Sequence, residues 1–309
     1  MHTIIFILIG ISMLVSGIFV MRYGLKNMLS NKLQQILVRL TVTPWRGLIV
    51  GTLTAAVMQS STAVSLITIG LVSAEYLSFY QSLGIILGAN IGTCSTVQLM
   101  ALSLPNEGFV PALILSLLIM LLISRLRYLA MASSGLLSMF IGLNILSNTL
   151  STVSELDTAI QYLMEAKTNP IYGILGGIII TTLFQSSSAA TGLLMVLAGD
   201  GIIDLTTAAY VVYGNNIGSC LSSVIISATA PLAAKRVAMS HIILNIFGVL
   251  AFLPITALLT TIATQITPDF SGQVALVHTL FNVISSLVVI PFAKQYANLI
   301  IFLVPGQKR

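Results

Sequence analysis

Apolar residues run in long unbroken stretches along most of this chain, and the stretches have the length a bilayer requires. A hydrocarbon core of ~30 Å takes ~20 apolar residues per helix. Runs over Thr3–Met21, Gln81–Leu104, Tyr128–Leu150, Thr206–Ala230, His241–Ile262 and Gln273–Phe292, with a shorter one at Pro111–Ser124, predict transmembrane helices. Continuity rather than alternation points away from a membrane β-barrel. The first run is followed at once by Arg22 and Lys26. A signal peptide carries its charge before the run and a small-residue cleavage site after it, so this run reads as a retained helix. From Arg22 to Leu40, residues Leu25, Met28, Leu29, Leu33, Ile36, Leu37 and Leu40 recur at helical spacing among Lys and Arg. That pattern predicts an amphipathic helix lying on the membrane surface, its basic residues against lipid headgroups. The longest polar stretches, Arg22–Arg46 and Ser151–Asn169, are linker-sized, so no extramembrane domain is expected.

Polar clusters interrupt the pattern at four places. Gln59-Ser60-Ser61-Thr62 and Gln185-Ser186-Ser187-Ser188 sit at the middle of two apolar segments. Gly88-Ala89-Asn90-Ile91-Gly92-Thr93-Cys94 and Gly214-Asn215-Asn216-Ile217-Gly218-Ser219-Cys220 lie inside two of the full spans. Gly and Asn are poor helix formers, so each of the latter predicts an unwound stretch, with close packing of helices as the other reading and the two compatible. The four clusters are two pairs. Gln59 and Gln185 are 126 residues apart, and so are Asn90 and Asn216, Pro44 and Pro170, Gly47 and Gly173, Gly51 and Gly177, and Cys94 and Cys220. One register held across so many rare residues marks a duplication.

The expected fold is therefore an all-α polytopic membrane protein with inverted structural repeats, two re-entrant hairpins and two broken helices. The first repeat is expected over 1–125 (hairpin 47–74, broken helix 81–104) and the second over 126–262 (hairpin 171–199, broken helix 206–230). A final transmembrane helix and a short cytoplasmic tail fill 263–309. A hairpin arm of about a dozen residues reaches ~20 Å at 1.5 Å per residue, past the midplane and back. Each repeat then crosses three times, an odd number, which makes the repeats inverted. With the N-terminus outside, this arrangement puts 12 of the 13 Lys and Arg residues inside and only Lys167 outside; spanning segments would make it 11 to 2. The positive-inside rule leans toward hairpins, with a cytoplasmic C-terminus.

Composition agrees with a chain immersed in the cell membrane. Only 7% of residues are charged and the mean hydropathy is +1.04, against about 25% charged in soluble domains. A pI of 9.3 does not imply nucleic-acid binding, because the basic residues are spread between apolar segments. Irregular backbone at membrane depth survives where it lines a cavity, and paired broken segments in two halves point to a transporter's substrate site. Half-helix N-termini suit an anion, and the Ser, Thr, Asn and Gln oxygens suit Na⁺. No Lys, Arg, Asp or Glu lies within the four clusters. An anion would be held by N–H, hydroxyl and amide donors and by co-bound cations, which favours cation coupling over a proton relay.

The paired Gln-Ser-Ser-(Ser/Thr) and Gly-(Ala/Asn)-Asn-Ile-Gly motifs resemble those of the type II sodium–phosphate cotransporters. The likeness extends to Met21-Arg22-Tyr23-Gly24-Leu25 and to His278-Thr279-Leu280-Phe281-Asn282. It implies a sodium-coupled symporter of inorganic phosphate working by alternating access. It also implies a shared phosphate and sodium site from Gln59, Ser60, Ser61, Thr62, Asn90, Thr93, Gln185, Ser186, Ser187, Ser188, Asn216 and Ser219. Sodium is the implied coupling ion, with no other cofactor. Thr62 stands where Ser is usual, and the first half has no His-Phe-Asn helix. The chain ends at Arg309 without the regulatory C-terminal domain that many bacterial relatives carry. Residue chemistry alone leaves open another small anion or a phosphate sensor that does not transport, and it leaves open a homo-oligomer.

Other polar residues read more plainly. His241 with Asn245, and His278 with Asn282, share helix faces at i, i+4 and are expected to hydrogen-bond between helices. Cys94 and Cys220 are expected as small buried fillers. No Ser/His/Asp set, carboxylate pair or metal-ligand spacing occurs at membrane depth, so the expectation is not an enzyme.

Overall fold

A computed structural model describes residues 2–102, 104–150, 162 and 165–306. The described residues are mostly helical, with no strand among them. Its helices are α1 (His2–Leu40), α2 (Pro44–Met58), α3 (Ser61–Ser73), α4 (Phe79–Gly92), α5 (Cys94–Met100), α6 (Phe109–Leu122) and α7 (Arg127–Leu150). They continue with α8 (Pro170–Phe184), α9 (Ser187–Gly199), α10 (Leu205–Ser227), α11 (Leu232–Phe252), α12 (Thr256–Ile266), α13 (Phe270–Val289) and α14 (Ala293–Leu303). Among the described residues, five helical stretches are long and apolar enough to cross a membrane: Thr3–Met28, Phe79–Met100, Ser124–Leu150, Leu232–Ile266 and Phe270–Leu303. The last two each contain a short 3₁₀ turn, at Leu253–Ile255 and Ile290–Phe292. Pro254 and Pro291 account for both, since a proline removes an N–H and crowds the preceding turn. Most of the polar stretch Ser151–Asn169, and Lys308 and Arg309 of the tail, lie outside the described residues.

Two expectations need correction. The first apolar run and the amphipathic segment are not separate helices: α1 continues unbroken for 39 residues through Met21 and Arg22. The expected unwinding at the Gly-Asn motifs is also largely absent. Between α4 and α5 only Thr93 leaves the helix, and α10 runs straight through Gly214–Cys220. The glycines serve another purpose. A Cβ on Gly84 would lie 2.0 Å from the Pro44 carbonyl oxygen, on Gly88 2.1 Å from that of Leu48, and on Gly92 2.2 Å from that of Thr52. Both members of each pair advance together by four residues, so α2 and α4 run parallel with backbones touching. In the second copy a Cβ on Gly214 would lie 2.0 Å from the Ile174 oxygen, and on Gly177 2.1 Å from that of Val211. Gly in a helix interior costs about 1 kcal/mol relative to Ala; here the close approach of two helices offsets it.

The described residues group into two compact units. One comprises Met1–Leu29, Val97–Asn215 and Thr256–Val277. Within it α1 and α7 cross antiparallel on glycines: a Cβ on Gly17 would meet the Gly135 oxygen at 2.7 Å, and one on Gly24 the Tyr128 oxygen at 2.6 Å. The other comprises Ser30–Thr96, Asn216–Ile255 and His278–Arg309. In it α11 is tied to the C-terminal helix by Tyr296, whose hydroxyl donates to the Ser240 carbonyl, and by Arg236, whose Nε donates to the Val304 carbonyl at 3.1 Å.

Candidate functional site

Both Gln-Ser clusters fold as the same joint between two helices. Helix α2 ends at Met58, Gln59 takes the left-handed conformation (φ 54°, ψ 28°), and Ser60 is extended (φ −157°, ψ 108°) as N-cap of α3. Helix α8 ends at Phe184, Gln185 has φ 51°, ψ 26°, and Ser186 has φ −156°, ψ 109° as N-cap of α9. Ser60 Oγ accepts from the Ala63 N–H at 3.1 Å, and Ser186 Oγ from the Ala189 N–H at 3.2 Å. A Ser N-cap satisfies one of the free N–H groups of a helix start. Positive φ at a residue bearing a side chain is costly and marks a position held by its surroundings. Among the described residues only Gln59, Glu75 and Gln185 have it apart from glycine.

In the unit holding the first joint, the surroundings are specific. Gln59 Nε2 donates to Ser95 Oγ at 3.0 Å and to the Ala56 carbonyl. The Ser61 N–H donates to Thr93 Oγ1 at 3.2 Å, and Thr96 Oγ1 to the Gln59 carbonyl at 3.4 Å. Thr62 Oγ1 reaches the Ser219 carbonyl at 3.5 Å. The one-residue break at Thr93 is thus where α4 and α5 receive the joint. Gln59, Ser60, Ser61, Asn90, Thr93 and Asn216 are all buried, while Thr62 and Ser219 are half-buried. These eight sequence-predicted residues fall in one unit.

Behind them runs a directed hydrogen-bond chain. His241 Nε2 meets Asn90 Oδ1 at 2.9 Å, Asn90 Nδ2 donates to Asn245 Oδ1 at 3.1 Å, and Asn245 Nδ2 donates to the Asn216 carbonyl at 3.2 Å and to Cys220 Sγ at 3.0 Å. Because the carbonyl can only accept, every link has one polarity: His241 carries its proton on Nε2, and its Nδ1 accepts from Ser65 Oγ at 3.2 Å. His241 and Asn245 therefore bridge helices, as their spacing suggested. Both ends of the Asn90 amide are engaged by α11. His278 and Asn282 behave differently: Asn282 Nδ2 donates to the His278 carbonyl at 2.9 Å and lies 3.3 Å from its Nε2, within one helix. Cys94 and Cys220 are both buried thiols, directed at the carbonyls of Asn90 and Asn216 at 3.6 and 3.4 Å.

The second joint lies in the other unit. Gln185 Nε2 donates to the Thr182 carbonyl at 2.7 Å, and the Gln185 side chain is exposed where that of Gln59 is buried. Ser186 and Ser188 are buried, and Ser187 is half-buried. Two residues outside the predicted set take part. Asn215, fully buried, accepts from Thr181 Oγ1 at 3.0 Å and donates to Thr191 Oγ1 at 3.2 Å, so it pins both arms of the joint to α10. Arg22 Nη2 donates to Ser188 Oγ at 3.1 Å. This corrects the expectation that the basic residues from Arg22 onward contact only headgroups: this guanidinium turns onto a Gln-Ser motif. Its one signal in the sequence is a charge that directly abuts the 19-residue apolar run Thr3–Met21. At the far end of α9, Asp204 caps α10 through the Thr207 N–H at 2.8 Å and pairs with Lys167 at 3.3 Å. Among the described residues no three His, Cys, Asp or Glu side chains stand together as a metal site, so cation chemistry here would rest on neutral oxygens.

Known proteins resemble this sequence. The profile of the Na⁺/Pi-cotransporter family matches residues 13–148 and 150–267. A Bacillus subtilis (strain 168) protein named "Uncharacterized protein YqeW" is 31% identical over 98% of this chain and 97% of its own length. A Salmonella typhimurium protein named "Putative inorganic phosphate export protein YjbB" is 26% identical over 96% of this chain, which spans 55% of that protein. "Sodium-dependent phosphate transport protein 2A" of Oryctolagus cuniculus is 32% identical over 95 residues, 29% of this chain and 15% of its own. No solved structure matches.

Proposed function

The chain belongs to the Na⁺/Pi-cotransporter family, and we propose that it is a multi-pass secondary transporter coupling inorganic phosphate to sodium across the cell membrane. The carrying observation is the Gln-Ser joint formed twice with matching dihedrals. Each joint ends one helix and starts another at a single point, offering hydroxyls and helix-start N–H groups suited to an oxyanion. The neutral oxygens of the same residues suit Na⁺. The proposed ligands are Gln59, Ser60, Ser61, Thr62, Thr93, Gln185, Ser186, Ser187, Ser188 and Ser219, with Asn90 and Asn216 holding the first joint in place. Arg22 adds the positive charge that the motifs lack.

The packing also supports re-entrant hairpins. Because α2 and α4 run parallel, α3 brings the chain back to the end at which α2 began before α4 starts. The relation recurs for α8, α9 and α10. Three crossings per copy would then make the repeats inverted, with the first over 1–125, the second over 126–262 and a final helix after them. Charge bias supports an N-terminus outside.

Gln59→Ala and Gln185→Ala are each expected to abolish phosphate transport while leaving membrane expression intact. Arg22→Gln is expected to raise the apparent KM for phosphate more than Arg22→Lys does. Competition by sulfate, carboxylates and phosphonates tests the choice of anion. Normal transport by both glutamine variants would overturn the site, and stronger competition by another anion than by phosphate would overturn the substrate.

A further inference from the structure

Helix α13 carries a buried polar face that the joints do not use. His278, Asn282, Ser285 and Ser286 lie at i, i+4, i+7 and i+8, within one 100° sector of the helix. Their exposures are 0%, 0%, 7% and 0%. His278 Nδ1, Asn282 Oδ1, Ser285 Oγ and Ser286 Oγ all lack a hydrogen-bond partner. A buried polar atom left so costs about 1–3 kcal/mol, and four on one face is a pattern rather than an accident of packing.

The serines show that the pattern is specific. A helical Ser or Thr ordinarily returns its hydroxyl to a carbonyl three or four residues back. Buried Thr68, Ser82, Ser227 and Ser240 do so at 2.6–2.9 Å. Ser285 and Ser286 do not; Ser285 Oγ stands instead against Gly248 of the neighbouring helix. In Asn282 both hydrogens of the amide nitrogen are turned to His278, which leaves Oδ1 facing outward. The opposing helix packs closely. A Cβ on Gly248 of α11 would lie 2.8 Å from Ser285 Oγ and 2.9 Å from the Phe281 ring, so the room around Ser285 Oγ depends on the missing side chain of Gly248, and the rings of Phe252 and Phe281 stand 5.3 Å apart between centroids.

We propose that Asn282 Oδ1, Ser285 Oγ and Ser286 Oγ bind a hard monovalent cation, with sodium the ion to test. Ser285 and Ser286, at i+3 and i+4, each stand with Cβ about 5–6 Å from that of Asn282, so both hydroxyls are placed to share an ion held by the Asn282 oxygen. Water or a main-chain carbonyl completes the shell. His278 is not a ligand: its Nε2 accepts from Asn282, so Nδ1 carries the proton. Its place is to hold the Asn282 amide with the oxygen outward. The inference rests on the transport reading only in making this ion a coupling ion; the site itself stands or falls separately.

The test is thermal unfolding of the purified full-length protein in detergent, titrated with NaCl against choline chloride at constant ionic strength. It is carried out in the Gln59→Ala/Gln185→Ala background, so that ions at the joints do not contribute. Sodium is expected to raise Tm saturably. Ser286→Ala and Gly248→Ala, whose added methyl crowds Ser285, are each expected to raise the half-saturating sodium concentration at least fivefold. Ser286→Thr, which keeps the hydroxyl, is expected to restore it. An absent sodium-dependent shift in the background protein would overturn the proposal. Ser286→Ala lowering Tm equally at every sodium concentration would do so too, and would assign the face to bound water. If phosphate flux fails but this titration succeeds, the cation site survives without the transport reading.

Discussion

Replacing Asn90 by Ala tests the hydrogen-bond chain behind the first joint. The substitution leaves the His241 Nε2–H without its acceptor at 2.9 Å and Asn245 Oδ1 without its donor at 3.1 Å. Two magnitudes compete. Interhelical hydrogen bonds in membrane proteins average about 0.6 kcal/mol each, because the groups find other partners. A buried group that cannot find one costs about 1–3 kcal/mol. His241 and Asn245 are both fully buried, and their other polar atoms are already bonded to Ser65, Asn216 and Cys220. The second magnitude therefore governs, and Asn90→Ala is expected to cost about 2–4 kcal/mol. Adding His241→Leu removes one of the two stranded groups, so the double variant should cost about 1–2 kcal/mol less than the sum of the singles. Unfolding in mixed micelles with increasing SDS, followed by circular dichroism, measures all three. A single-variant cost under about 0.5 kcal/mol, or additivity within about 0.5 kcal/mol, refutes the reasoning.

Glycine substitutions separate packing from helix propensity: Gly214→Ala puts a methyl 2.0 Å from the Ile174 oxygen and should prevent a stable fold, read as loss of the monodisperse peak on size-exclusion chromatography. Gly70→Ala meets nothing within 4 Å and should be neutral or stabilise by about 0.5–1 kcal/mol in the same SDS titration. Asp204→Ala should cost about 1 kcal/mol through the lost helix cap, while Asp204→Asn should keep most of it. Burial raises the Asp204 carboxyl, but its bonds to Thr207 and Lys167 outweigh that and hold it below the usual carboxylate value. Its contribution is therefore full above about pH 4, the unfolded value, and is lost as pH falls through the folded one, a dependence that Asp204→Asn should erase in acid unfolding. Asp200 is the opposite case: burial raises its carboxyl and the Ser147 hydroxyl offsets this in part, so Asp200→Asn should raise Tm slightly at pH 7 and leave it unchanged at low pH.

What the sequence disclosed follows from the range of the forces involved. The two joints were legible because Gln and Ser inside apolar segments are rare, and a fixed offset of 126 repeats them. The i, i+4 spacing of His241 and Asn245 showed a shared face, and their partners lie on neighbouring helices. The same spacing at His278 and Asn282 led to bonds within one helix, because spacing does not say what faces the pair. Gly88 and Gly214 carry two readings in the sequence, helix breaking by local propensity and close helix packing, and the second is the one the structure bears out, since a glycine every fourth residue lets two helices approach closely. The spacing Gly84, Gly88, Gly92 carried that second meaning. Arg22 and Asn215 were missed because their roles depend on Ser188 and Thr191, remote in sequence or a helix away. The continuity of α1 across Met21 and Arg22 was hidden for a related reason: a change from apolar to amphipathic pattern marks a change of surroundings, not an end of helix.

The central claim is coupled movement of two ions. The direct measurement is ³²P-phosphate flux in proteoliposomes of the purified protein, under an inward sodium gradient, under an outward one, and with potassium in place of sodium. Phosphate is expected to accumulate in the direction of the sodium gradient, to stop accumulating in potassium, and not to accumulate with the Gln185→Ala protein. Phosphate flux that is indifferent to sodium, or no flux from protein shown to be folded, would contradict the claim.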